Sequence, residues 1–233
     1  DLKFQVSKKI FNINNAKGFI KCDEMLIKSD ASINYFKKKL SKIKKKYNFN
    51  VTKIKNLKNY VQINGIKDKF DWAIDCSGCS IKKINNFNVL YEPRITLVYK
   101  SNKKSLAIML MDGKFWSIYP IKKDLYSLGS VIHSRLSKGF KNNLKAEQVL
   151  KKFNKADISN IIKKFENQVL SDFPKFKSLF KYYSFYTSVA TINHSINDDR
   201  PFKIYKKKRI ISILGGKIDT VIEAGEKVKE VLK

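Results

Sequence analysis

Arg209-Ile210-Ile211-Ser212-Ile213-Leu214-Gly215-Gly216-Lys217 decides how this chain is read. Its unbroken apolar run reads as a strand buried on both faces, the kind that parallel sheets contain. Two glycines follow at once. From Ile218 to Leu232 the apolar residues Val221, Ile222, Val228, Val231 and Leu232 then trace the stripe of an amphipathic helix. A strand, a glycine pair and a helix form a corner suited to an anion or a dipole. Glycine lets a ligand approach the backbone, and the unpaired N–H groups of a helix's first turn carry partial positive charge.

Working outward, Phe70 to Cys76 reads as a second strand running into Ser77-Gly78. Before it, the chain reads as short strands at Phe19 to Lys21 and Glu24 to Ile27, then cap residues from Ser29 to Ser32. A helix from Ile33 to Lys46 should bury Ile33, Phe36, Leu40 and Ile43, which recur at three- and four-residue steps. Strands at Asn48 to Val51 and Tyr60 to Ile63 follow, with Asn64-Gly65 as a hairpin turn. The middle of the chain changes character. Arg94 to Lys100, Leu106 to Met111, Lys114 to Tyr119 and Leu125 to His133 are β-rich runs divided by turn signals, Asp112-Gly113 the clearest of them. They predict an antiparallel sheet. Helices follow at Lys145 to Phe153 and Ile158 to Leu170, the second capped by Asp157, and then a Tyr- and Phe-rich strand from Tyr182 to Ile192.

Composition narrows the function classes. The chain has 233 residues, 43% of them hydrophobic and 12% aromatic, too apolar for a disordered chain. No stretch approaches the ~18 consecutive apolar residues of a transmembrane helix. Net charge is +29 from 49 basic and 20 acidic residues, which invites a polyanion partner. Yet arginine occurs only at Arg94, Arg135, Arg200 and Arg209, and nucleic-acid readers depend on its fork for bidentate contacts. The lysines are scattered, with knots at Lys37 to Lys39, Lys44 to Lys46 and Lys206 to Lys208, so the charge reads as solvated surface and no specific nucleic-acid partner is expected. Three cysteines, Cys22, Cys76 and Cys79, are too few for a disulfide framework, which suits a reducing, cytoplasmic setting. Cys76-Ser-Gly-Cys79 has the spacing of a redox pair or half a zinc site, but His133 and His194 stand too far apart to complete the latter.

Asp198-Asp199-Arg200-Pro201, a gap, and then Ile210 to Thr220 together resemble the C-terminal flavin-closing segment of FAD-dependent oxidoreductases. The likeness is nearest to the D-amino-acid-oxidase-like and glycerol-3-phosphate-dehydrogenase-like group. Phe70 to Gly78 is similar to the strand that ends, in such flavoproteins, in an Ala-Thr-Gly-like triplet; Cys76 and Ser77 stand in for Ala and Thr, which assigns Cys76 to packing rather than redox work. The resemblance implies FAD as cofactor, contacted by Gly215, Gly216, Lys217, Ile218, Asp219 and Thr220, and by Ser77, Gly78 and Arg200. It implies a mixed α/β fold: residues 1–84 and 200–233 form a partial Rossmann-like FAD-binding domain, and 85–199 an inserted antiparallel substrate domain whose face covers the flavin. The family's Gly-x-Gly-x-x-Gly is missing from all 233 residues, so the likeness implies an N-terminally truncated chain, a fragment lacking the first βαβ unit and inactive alone.

On that sheet the candidate polar groups are Arg94, Tyr119, His133 and Tyr186. Arginine suits a carboxylate or phosphate, and histidine titrates near neutrality, as a general base must. His133 and Tyr119 are the catalytic candidates, while Arg94, Tyr119 and Tyr186 are the substrate-binding ones. The implied reaction oxidises a small or conjugated metabolite by hydride transfer to flavin, with an electron acceptor that no motif specifies. Two alternatives remain open: a flavin monooxygenase using NAD(P)H and oxygen, and a non-catalytic basic module for nucleic acid or anionic surfaces. If the charge is lysine electrostatics alone, retention on a nucleic-acid column falls smoothly with salt and survives Arg94→Ala and Arg200→Ala. Loss of sequence preference on either change would instead mark true recognition.

Overall fold

A computed structural model describes residues 4–7, 13–14, 19–22, 29–79, 87–103, 107–111, 113–193, 202–215 and 220–232. Strands β1 (Phe4–Ser7) and β2 (Phe19–Cys22) pair antiparallel and precede helix α1 (Ser29–Lys39). Then come β3 (Ile54–Asn56), β4 (Val61–Ile63), β5 (Ala73–Asp75) and the long β6 (Val89–Lys100). β7 (Ile108–Leu110), β8 (Trp116–Pro120) and β9 (Leu125–Ser130) lead to α2 (Asn143–Lys152), α3 (Lys155–Asp172) and α4 (Phe176–Leu179). β10 (Lys181–Asn193), β11 (Lys203–Lys207), β12 (Ile210–Leu214) and α5 (Val221–Leu232) complete the order. The fold is mixed α/β. It divides into two compact units: one of Asp1–Lys44, Pro93–Lys138 and Glu147–Ser188, the other of Lys45–Glu92, Gly139–Ala146 and Val189–Lys233. β6 carries the chain from the second unit into the first, and β10 carries it back.

The first unit holds the predicted antiparallel sheet, in the order β10-β6-β9-β8-β7. Alternation fixes its two faces, because successive side chains on a strand point to opposite sides. Ile95, Leu97 and Tyr99 on β6, Tyr126 and Leu128 on β9, and Trp116 and Ile118 on β8 are buried together with Phe165 and Val169 of α3 and Phe176 of α4. Polar side chains at this seam find partners. Trp116 Nε1 donates to Asp172 Oδ2 at 2.8 Å, Tyr99 donates to Glu166 at 3.2 Å, and Ser130 donates to Gln168 at 2.7 Å. The cap of α3 is Asn154 rather than Asp157. Asn154 accepts from the Ala156 and Asp157 amides, while Asp157 reaches back to the Asn154 N–H to close a capping box.

The second unit contains the strand that opened the sequence reading. β12 lies at the centre of a three-stranded sheet, antiparallel to β11 and parallel to β5, and its Ile210, Ile211, Ser212 and Leu214 are buried. β3 and β4 form a separate hairpin whose turn is at residues 57–60; beyond Asn64-Gly65 the chain returns to β4 only through a single bridge, Val61 to Phe70.

Two expected stripes differ from their observed burial. α1 ends at Lys39, and Ile33, Phe36, Leu40 and Ile43 are all exposed, so the period is helical but the face is not covered. α5 buries Ala224 and Val228, whereas Val221 and Ile222 are exposed. The expected strand at Asn48 to Val51 is instead an irregular lead into β3. Glu24 to Ile27 and Asp112 lie outside the described residues.

Stability should follow this division. Phe165→Ala, deleting a fully buried ring, should cost about 3–5 kcal/mol, and Asn154→Ala about 1 kcal/mol through the lost cap. Phe36→Ser should stay within about 0.5 kcal/mol of wild type. Denaturant melts of the three variants check this, and a large loss at Phe36 would contradict the exposed α1 face.

Candidate functional site

Two strands remote in sequence end side by side in the second unit. The parallel register sets Ile210 against Ala73, Ile211 against Ile74 and Ser212 against Asp75. Parallel pairing makes both chains leave the sheet at the same edge. Ser77-Gly78 therefore emerges beside Leu214-Gly215, and the carboxyl edge of parallel strands is where open α/β sheets place their ligands. Gly215 is exposed, and among the described residues no heavy atom beyond its chain neighbours stands within 4 Å of where its side chain would begin. The corner is open at that glycine. Gly216, Lys217, Ile218 and Asp219 lie outside the described residues, as does Arg200; Thr220 is half-buried where α5 begins.

The β5 exit is tightly specified. Asp75, itself buried, accepts the Ser77 N–H through Oδ1 at 3.0 Å. Gly78 and Cys79 are both left-handed, with φ of 63° and 67°. For glycine this is free, but for Cys79 it costs about 1–2 kcal/mol. Two hydroxyls hold the turn's carbonyls: Thr191 donates to Gly78 O at 2.8 Å and Tyr91 to Cys79 O at 2.7 Å. Among the described residues, one buried polar atom here, Ser212 Oγ, has no hydrogen-bond partner.

Cys76 does not take the packing role expected of it. Cys76 is exposed, while Cys79 is buried with Val89, Tyr91, Ala146 and Leu214. Packing thus falls to Cys79, because the left-handed pair at Gly78 and Cys79 turns the second thiol inward. Neither thiol is tuned as a nucleophile. Burial first, and then the negative charge of Asp75, push Cys76 up and Cys79 up to about 11, the reverse of a low-pKa redox thiol. The same two influences, with Cys79 between them in size, keep the Tyr91 hydroxyl protonated and able to donate.

The sheet unit carries the other candidates. Arg94 falls out of phase with buried Ile95 and Leu97, so it lies on the sheet face turned away from α3. Tyr119, half-buried on β8 and out of phase with Trp116 and Ile118, lies on that same face. Register places Tyr119 level with Val98, across Ser127, so Arg94 is four residues further along, roughly 13 Å. Arg135 carries no motif in the sequence. It bridges Arg94, and the bonds from Ile95 N to Ser134 O and from Leu136 N to Pro93 O make this the close, non-hydrogen-bonded kind of pair. Two of the four arginines therefore sit on one face in contact range. Nothing local in the sequence announces that pairing.

His133 is elsewhere. β9 ends at Ser130, and residues 131–133 form a turn stabilised by the His133 N–H donating to Ser130 Oγ at 3.0 Å. The His133 ring packs 5.9 Å from Phe165, on the helix side of the sheet. Burial, then Lys164 and Lys114, hold its pKa below the ordinary value, so the imidazole is neutral at pH 7. Geometry thus gathers Arg94, Arg135 and Tyr119 on one face and leaves His133 on the other. Tyr186, on β10, is half exposed.

No protein-family model matches the chain. It is similar to the FAD-dependent monooxygenase FPY4 of Fusarium mangiferae, with 28% identity over 183 residues that make up 78% of this chain and 48% of that protein. The chain thus spans about half the length of the curated relative it matches. Among solved structures, a FAD dependent oxidoreductase from Pseudomonas aeruginosa overlaps it with a TM-score of 0.44 at 10% identity, over 77% of this chain and 52% of that one. Among the described residues, no helix is long and apolar enough to cross a membrane.

Thiol chemistry provides the check on the β5 exit. Alkylation followed by mass mapping should label Cys76 slowly at pH 7, with a rate still climbing past pH 9, and leave folded Cys79 almost untouched. Fast, pH-independent labelling of Cys76, or equal labelling of both, would contradict the raised pKa values.

Proposed function

We propose that this chain is the flavin-closing and substrate-binding portion of a FAD-dependent oxidoreductase. The observation that carries the reading is the open edge where β5 and β12 end together, with Ser77-Gly78 on one side and Gly215 on the other. The residues present fit the cofactor. Gly215 leaves room for a planar ring against the backbone, and Gly216, Lys217, Ile218, Asp219 and Thr220 are the sequence's candidates for the amides that meet it. Similarity to a FAD-dependent monooxygenase over most of this chain supports the same assignment. When bound, flavin supplies the two-electron chemistry, accepting a hydride from the substrate.

The protein's own residues have two tasks in this reading. The amides that the sequence offers at the glycine corner are the donors assigned to favour negative charge on the nearby ring edge. Arg94, with Arg135 beside it, holds a carboxylate or phosphate of a small or conjugated metabolite; Tyr119 orients the substrate from the same face, and half-exposed Tyr186 adds a contact. In this proposal His133 contributes little as a base, because its ring is spent against Phe165. A monooxygenase reading is favoured by one specific observation, the activity named for the Fusarium relative. Flavin reduction by NADPH without substrate would select it; reduction by substrate alone would select the oxidase or dehydrogenase.

Titrating the chain into FAD and following flavin fluorescence tests the seat. Saturable quenching is expected for wild type. Gly215→Val, whose side chain enters open space and should leave the fold intact, is expected to weaken it about tenfold or more, the cost of a ring held ~1.4 kcal/mol less well. Equal quenching by both proteins, or none by wild type, would overturn the assignment.

A further inference from the structure

Beside the flavin corner, the hydrogen bonding of the β5 exit has an unusual source. The carbonyls of Gly78 and Cys79 each take a side-chain donor. They accept from the hydroxyls of Thr191 and Tyr91, which come from two strands far apart in sequence, β10 and β6. The third tie, from the Ser77 N–H to Asp75, is local. Left-handed backbone at a non-glycine residue persists only where its surroundings over-determine it, and such outliers gather where function needs a fixed geometry. Tyr91 is buried, its ring packed with Cys79, Leu214 and Ala146, so its hydroxyl is held rather than free to wander. Thr191 Oγ1 lies 3.5 Å from where a side chain at Gly78 would begin, so it also closes the space behind that residue.

We propose that Thr191 and Tyr91 are positioning residues for the flavin corner: by anchoring the Gly78 and Cys79 carbonyls they hold the turn in the left-handed form that presents Ser77-Gly78 beside Gly215. This rests on the reading of that corner as a flavin seat. Neither residue touches the cofactor; each acts through the backbone. Both residues lie in the second unit, as does the turn whose carbonyls they hold. Residues with a purely structural role would change stability and flavin affinity together. Positioning residues change affinity more than stability.

The test uses the whole chain with FAD as the probe. Thr191→Val and Tyr91→Phe keep the shape of each side chain and remove only the hydroxyl, and exposed Ser178→Ala serves as control. Flavin affinity, the thermal midpoint and amide hydrogen exchange at residues 77–79 are measured for each. The expected result is FAD binding weakened about fivefold or more in each hydroxyl variant, faster exchange of the turn amides, and midpoints within a few degrees of wild type; Ser178→Ala changes none of these. Wild type that binds FAD with variants of equal affinity would overturn the positioning role alone, as would unchanged exchange at the turn. A wild type that binds no FAD would overturn the flavin seat itself, and the positioning role with it.

Discussion

The parallel pairing of β5 with β12 is the constraint on which the rest depends. Each strand is short, three and five residues, and neither would persist alone. Together they fix which backbone groups leave the sheet at a common edge. With Ser212 set against Asp75, the next residues on both strands are turn-formers: Ser77-Gly78 on one and Gly215-Gly216 on the other. A register shifted by one residue would turn every side chain of β12 to the other face. It would carry Leu214 out of the cluster it forms with Cys79 and Tyr91. The apolar character of Ile210, Ile211 and Leu214 is therefore what holds the glycine corner in place.

How much of this could be read from sequence depends on whether the signal was local. The buried β12, the antiparallel sheet and the two helices after it follow from periodicity, because each of those elements carries its own apolar pattern. Burial was harder to foresee. The α1 stripe has the helical period, yet Ile33 and Phe36 stay more than half exposed, since period shows which residues share a face and not whether anything covers it. β11 carries no local signal, because its hairpin with β12 turns at Lys208-Arg209, where Lys208 takes a positive φ of 53° with none of the usual glycine or asparagine. The cap of α3 lies three residues before the expected Asp157, because Asn154 and Asp157 both qualify in sequence and only their reciprocal bonds distinguish cap from N3.

The site was legible in part for the same reason. Gly215, Ser77 and Gly78 sit at strand ends that the sequence marks plainly. The Arg94–Arg135 pair, and the anchoring of one turn by Thr191 and Tyr91, arise from register between segments distant in the chain, which no local motif encodes. The Cys-x-x-Cys spacing illustrates the converse. As a pattern it suggests thiol chemistry, but in place it is a strand exit with one outward and one inward sulfur, both disfavoured as thiolates by burial and a neighbouring carboxylate. Spacing alone could not distinguish the two.

Photolabelling with an azido-substituted flavin, followed by peptide mapping, measures the central claim most directly. The account predicts covalent label within residues 76–79 and 213–220, suppressed by excess FAD. Label confined to the lysine knots, or to the antiparallel sheet with those two segments unmarked, would contradict it.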